Sequence, residues 1–330
     1  MAEGVCFCMI RITDLTLSCL DEYDAPPEKL QRLCELLQSV GADATELSTQ
    51  AYKKIKKLPE KGKYILRVDS RDEINSFPEF DRYVCRRNRF TVLPEAILEI
   101  QLNDIREIYS LRQYSTVPNI RIVGLDDVLS HDYQTVFTNI KNALSGRVEF
   151  CPEDKYFCAG ASATEWILQG GQYIAASFAG VGGKAALEEV VMALRLEVRH
   201  KPNTTFEQFP EIKKLLEEIT GHKFPKNKAV IGENIFFVEA GIHADGISKD
   251  PKIYEPFTPE LVGNERKLII GKHSGKAAIA MKLRELNINN PNADLKLLLQ
   301  EAQKLSIEKQ SSLTDEEFER LYYRILSTPE

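Results

Sequence analysis

Residues 27–47, PEKLQRLCELLQSVGADATEL, carry the alternation on which the fold turns. Leu30, Leu33, Leu37 and Val40 recur at helical spacing and fall on one face. Pro27 suits a first helical turn, where its missing N–H costs nothing, and Gly41 ends the helix. ATEL (44–47) follows as a short strand. Upstream, CFCMIRIT (6–13) reads as a buried strand, because nearly every position is apolar or β-prone. Downstream come a basic helix around Tyr52–Leu58 and a strand at YILRVD (64–69). Further strands are expected at AILEIQL (96–102), IRIVGL (120–125), RVEFC (147–151) and YIAASF (173–178), with helices over 131–144, 161–170 and 184–199. This rhythm predicts a parallel α/β sheet with crossover helices, of seven or eight strands, with 70–94 unassigned. Periodicity leaves open whether the strands close a (β/α)8 barrel or line an open doubly wound sheet.

The chain of 330 residues exceeds one small domain, and its 43% hydrophobic content is that of a globular protein. No apolar run is long enough to span a bilayer, so no membrane association is expected. The start, MAEGVCFCMIR, lacks the pattern of a secretory signal. A net charge of −6 argues against a nucleic-acid partner. Seven scattered cysteines, an odd number, suggest reduced thiols and a cytoplasmic location. The CxC of Cys6 and Cys8 is better read as small thiols in a buried strand than as a metal site, given Val5, Phe7, Met9 and Ile10 around it.

The character changes after Arg199. HKPNTTFEQFP (200–210) is loop-like, a charged helix follows over 211–220, and 231–275 is rich in glycine and irregular. Helices close the chain: one from Ser274, which offers an N-cap, one over Asn292–Leu305, and one over Thr314–Ile325 with Thr314 and Glu317 as a capping box. The expected organisation is a barrel-like domain over 1–205, remaining helices and a linker over 206–275, and a helical module over 276–330.

Chemistry concentrates in GENIFFVEAGIHADGISKDPKIYEPFTPELVGNERKLIIGKHSG (232–275). Gly241 and Gly246 bracket His243 and Asp245, which suggests a tight, irregular backbone under the imidazole. His243 is suited to moving a proton near neutral pH, and Tyr254 could donate a hydrogen bond to a developing oxyanion. The same residues are also what an ordinary glycine-rich loop contains.

This segment closely resembles the linker of the homocitrate synthase and 2-isopropylmalate synthase family, with its SGIHxDG and GKHSG signatures. GVGGKAALEEVVMALR (180–195) likewise resembles the family's GIGERAGNAALEEVVMAL. The resemblance implies a (β/α)8 TIM-type barrel, here with a strand or helix trimmed, followed by a linker subdomain and C-terminal helices. It implies an acyltransferase reaction between acetyl-CoA and a 2-oxo acid held by a divalent metal. The family's linker histidine and tyrosine, which reach the neighbouring subunit's barrel, match His243 and Tyr254. Asp245 and His273 would be structural linker residues.

The barrel departs from the family pattern. Where the family has D-x-T-L-R-D-G-E, this chain has Asp14-Leu15-Thr16-Leu17-Ser18-Cys19-Leu20-Asp21, so Ser18 replaces an arginine and Cys19 a metal carboxylate. The family's H-x-H falls on Cys151 and Glu153, and its metal-binding Asn on a three-residue deletion at Gly183-Lys184. Thiolates prefer zinc to the harder ions that chelate 2-oxo acids. The expectation is therefore no metal bound by this chain, with the divalent metal in a partner. The chain resembles the omega-type half of the split homocitrate synthases of some nitrogen-fixing anaerobes, whose partner is a homocitrate synthase alpha-type subunit. Its end at Glu330, soon after Gly275, favours that branch over full-length isopropylmalate synthases.

The implied function is condensation of acetyl-CoA with 2-oxoglutarate in a dimer or hetero-oligomer, His243 and Tyr254 being supplied in trans. A non-catalytic scaffold or regulatory paralogue, and a stand-alone enzyme with a rebuilt site, are the other readings. Glu46, at a strand end, is placed like a substrate-binding acid at a barrel mouth. Lys53, Lys54, Lys56 and Lys57 could meet the phosphates of coenzyme A, though a solvated helix face is the commoner explanation of such a cluster. Trp166 reads as a core residue.

Overall fold

A computed structural model describes residues 10–86, 93–291 and 293–327. The CxC and the start of the first expected strand lie outside them, as does Asn292. The chain divides into two compact units, Met1–Ile231 and Gly232–Glu330, so the helix over 209–220 stays with the first.

The first unit is a closed barrel of eight parallel strands: β1 (Arg11–Asp14), β2 (Ala44–Ser48), β3 (Tyr64–Arg67), β4 (Tyr83–Arg86), β5 (Ala96–Leu102), β6 (Asn119–Gly124), β7 (Arg147–Pro152) and β8 (Tyr173–Ala176). Strand β1 pairs with both β2 and β8, which closes the ring and rules out the open sheet. β4 lies in the stretch that sequence left unassigned, because four residues carry too little pattern to read.

Trimming affects the connections and spares the strands. Helices α1 (Pro27–Leu37), α2 (Thr49–Lys54) and α3 (Arg71–Ser76) follow β1, β2 and β3, the last two with only 6 residues each. The expected basic helix around 52–58 is thus the shorter α2, begun by the Ser48 side chain accepting from Ala51 N–H. Strands β4 and β5 are separated by residues 87–95 alone, where a parallel crossover ordinarily takes about a dozen or more. A 3-10 stretch, Ile105–Tyr114, joins β5 to β6. Regular helices return with α4 (Tyr133–Ala143), α5 (Ala159–Leu168), α6 (Leu187–Val198) and α7 (Phe209–Thr220). Trp166 is core, as expected, with Phe137 and Phe150 against its ring and its indole N–H on the Tyr173 carbonyl at 3.1 Å.

In the second unit, a two-stranded parallel pair, β9 (Phe237–Val238) and β10 (Lys267–Leu268), accompanies α8 (Gly241–Lys249), α9 (Lys276–Glu285), α10 (Leu295–Lys309) and α11 (Asp315–Ser327). Its core joins Ile270, Ile279, Leu283, Leu298, Phe318 and Leu321. Two sequence expectations need correction. Ser274 does not cap α9, because its hydroxyl is engaged by Gly271 N–H and the Glu239 carbonyl while Gly275 takes the cap position. The helix expected from Asn292 begins at Leu295, capped by Asp294. The Thr314–Glu317 capping box is present in both directions, at 2.8 and 3.2 Å. No helix among the described residues is long and apolar enough to cross a membrane.

Candidate active site

The inside of the barrel is layered, as strand alternation requires. Below, toward the strand starts, Ala44, Ile65, Val84 and Ile97 pack together; above, Leu15, Val123, Cys151 and Ala175 do the same, with Cys19 against them. Between them lies an ionic layer in place of the usual branched apolar side chains. Arg121, wholly buried, donates Nε to Glu149 at 2.7 Å and turns Nη1 to Glu46 and Glu99. Arg67 donates to Glu46 at 2.8 Å and grips Glu99 with both Nη atoms at 3.0 and 2.7 Å. Thr13 donates to the other Glu149 oxygen at 2.6 Å. Burial pushes the Glu46 carboxyl up, but Arg121 and Arg67 more than reverse this and hold it below the ordinary carboxylate range. Glu99 is held well below that range by the same two guanidiniums.

Glu46 therefore sits one inward-facing position beneath Ser48, the last residue of β2, and both its oxygens are engaged by arginine. That differs from the mouth position expected of it: the register of β2 puts Ser48 at the rim, and Ser48 donates its hydroxyl to Asp21 at 2.5 Å.

At the mouth, two segments meet. After β1, Asp14 accepts from Thr16 N–H at 2.9 Å and from the Thr16 hydroxyl, which in turn accepts from Phe178 N–H. Burial pushes the Asp14 carboxyl up to about 7. Ser18, at the family's arginine position, donates back to the Leu15 carbonyl at 3.0 Å. After β8, the turn GVGG is built on positive φ at Gly180, Gly182 and Gly183, and a Cβ at Gly182 would lie 2.7 Å from Cys19 Sγ. This turn delivers Lys184 to Glu153, Nζ to Oε1 at 2.8 Å, while Gln101 donates to the other Glu153 oxygen at 2.9 Å. The backbones of Glu153 and Lys184 also form an antiparallel bridge.

Could this mouth hold a hard divalent ion? Burial raises the thiols of Cys19 and Cys151 to about 12, so both stay protonated near neutral pH. Glu153 is saturated by an ammonium and an amide. Burial would lower the Lys184 pKa, yet the Glu153 carboxylate hydrogen-bonded to it holds it above the ordinary value, which keeps it a cation and unsuited to forming a Schiff base. Among the described residues no group of three or more His, Cys, Asp or Glu is arranged to hold a metal. The residues present do not fit the family's metal.

The linker residues lie in the second unit. His243 and Asp245 stand on α8, so the irregular backbone expected there is regular helix. Its glycines serve close approach instead: a Cβ at Gly241 would lie 2.6 Å from Ala278 N, at the start of α9. His243 and Tyr254 are both exposed, their ring centroids 5.7 Å apart and tilted by 49°. Asp245 pairs with Lys249 one turn on, at 2.6 Å. His273 is held through its backbone, its N–H donating to Glu239 at 2.5 Å. The two linker residues singled out in the sequence, His243 and Tyr254, thus lie side by side, and the Lys184–Glu153 pair was not anticipated.

Fold and site together define a (β/α)8-barrel protein with an appended helical linker module that presents a histidine–tyrosine pair. The model for the "homocitrate synthase post-HMGL domain-like" family matches residues 230–310, the linker module. The omega subunit of homocitrate synthase from Clostridium pasteurianum is 33% identical over 310 residues, 87% of each chain. A 2-isopropylmalate synthase of Caldanaerobacter subterraneus subsp. tengcongensis is 35% identical over 57% of this chain, which spans half of that relative's length. The chain belongs to the homocitrate synthase and 2-isopropylmalate synthase family. The HMG-CoA lyase of Bacillus subtilis, 15% identical with a TM-score of 0.54 over 66% of this chain and 95% of its own, has the same barrel fold.

Proposed function

We propose that this chain is the linker-supplying subunit of a homocitrate synthase-type acyltransferase that condenses acetyl-CoA with 2-oxoglutarate. Its partner, a homocitrate synthase alpha-type subunit, supplies a barrel with an intact divalent-metal site, and this chain binds no metal of its own. His243 moves a proton at the reacting centre, and the Tyr254 hydroxyl donates a hydrogen bond to the oxyanion that develops there. The observation that carries the reading is a contrast. Both members of the exposed His243–Tyr254 pair are present, whereas the mouth of this chain's own barrel carries a Lys184–Glu153 ion pair at the family's metal-ligand position. The omega-subunit identity of a relative that matches 87% of the chain supports a split enzyme.

The test is condensation of acetyl-CoA with 2-oxoglutarate by the purified chain alone and with a metal-bearing alpha-type partner, with metal content measured on each. A metal-free chain, inactive alone, that creates or raises activity in the mixture supports the reading. A metal-bound chain active by itself would return Cys19, Cys151 and Glu153 to candidacy as ligands. A mixture that assembles without gaining activity would favour a non-catalytic scaffold or regulatory paralogue.

A further inference from the structure

Gly246 lies inside α8, where glycine is disfavoured relative to alanine by roughly 1 kcal/mol. Its φ is not among the positive ones, so the backbone there would accept any L residue. Its carbonyl accepts from Asp250 N–H at 2.9 Å at the end of the helix, as an alanine's would. What excludes a side chain is Tyr254. A Cβ at position 246 would fall on the Tyr254 hydroxyl and within 2.6 Å of ring atoms Cε2 and Cζ. The tyrosine follows the 3-10 turn Pro251–Ile253, anchored by Asp250 accepting from Lys252 N–H at 3.2 Å, and folds back over the helix that carries His243.

We propose that Gly246 is a positioning residue for Tyr254, its missing side chain leaving the recess in which the phenol lies and so setting its hydroxyl relative to the His243 imidazole. This rests on the reading of Tyr254 given above. The contact is with the hydroxyl and two ring atoms of the rigid phenol together. An added methyl must therefore displace the whole phenol.

The test uses the reconstituted complex with Gly246→Ala, Tyr254→Ala and the double variant. A misplacement of about 1 Å in a catalytic constellation costs on the order of 100-fold. Gly246→Ala is therefore expected to lower kcat at least about tenfold, with KM for either substrate and the assembled size unchanged. In the Tyr254→Ala background the same substitution should alter kcat less than about twofold and raise the melting temperature, because only the helix preference remains. Wild-type turnover for Gly246→Ala, or an equal loss in both backgrounds, overturns the inference. So does a Gly246→Ala chain that fails to assemble while the double variant assembles, which would reduce the contact to packing. Full activity of Tyr254→Ala alone would instead overturn the role given to Tyr254.

Discussion

Replacing Arg121 with methionine, which keeps most of its volume and removes its charge, should destabilise the barrel severely. In the native chain Arg121 is wholly buried and serves Glu46, Glu99 and Glu149 at once. Its removal leaves Arg67 on Glu46 and Glu99 and Arg147, 3.4 Å from Glu149, since the Arg86 side chain, 3.2 Å from Glu99, is 77% exposed. Breaking one buried ion pair costs about 3–5 kcal/mol, because the partner keeps its desolvation penalty. At roughly 2–4 °C per kcal/mol for a unit of this size, the barrel's melting temperature should fall by about 6–20 °C. Trp166 is the only tryptophan and lies in the barrel unit, so its fluorescence reports that unit alone. The loss should also depend on pH. In the native chain Glu46 and Glu99 titrate below their unfolded value of about 4.3, so their contribution is full above it and lost as pH falls through the folded values. Without Arg121, burial dominates at Glu46, whose folded value rises above its unfolded one, while Arg67 and Arg86 still hold Glu99 low. The penalty is then full at neutral pH and fades on acidification, so the gap to the native chain should narrow from about pH 7 to pH 5. A variant that melts within a degree or two of the native chain, or a gap that widens in acid, would refute the ionic layer as a structural keystone.

Two further outcomes follow from the same interior. Cys19, Cys34 and Cys151, each raised by burial to about 12, should resist a thiol reagent at pH 8 in the folded chain and react after unfolding, as peptide mass spectrometry would read; rapid native labelling of Cys151 would contradict this. Asp14, raised to about 7, keeps its proton in the folded state while the unfolded chain releases it, so its contribution to stability falls as pH rises from about 4 to about 7 and is flat beyond. The stability of Asp14→Asn relative to the native chain should accordingly rise across that window, by at most about 1.4 kcal/mol per pH unit; denaturant melts that stay parallel from pH 4.5 to 7.5 would count against it.

Much of this architecture was readable in the sequence because most barrel strands are short runs rich in apolar and β-prone residues: ATEL, YILRVD, AILEIQL, IRIVGL, RVEFC and YIAASF each overlap an observed strand. Closure was legible through the family resemblance and not through periodicity, since barrels and open sheets share the same strand–helix rhythm and differ only in whether the first strand meets the last. The ionic layer was not legible. Arg121 and Glu149 were read as strand residues, and only the register of β6 and β7 brings them together inside the barrel. Helix α8 was hidden by its two glycines, which signal a turn in local sequence and serve close packing in the fold. The His243–Tyr254 pairing was legible through the family signature. The Lys184–Glu153 ion pair at the barrel mouth was not, because a lysine beside a glycine turn has no local mark of where its ammonium goes.

The central claim, that this chain supplies linker residues to a partner's barrel, is tested most directly by complementation. An alpha-type partner whose own linker histidine has been replaced by alanine is mixed with this chain, either native or carrying His243→Ala, and condensation of acetyl-CoA with 2-oxoglutarate is followed. The account predicts activity with the native chain and a loss of orders of magnitude with His243→Ala at unchanged assembly. Equal turnover with the two forms would contradict it.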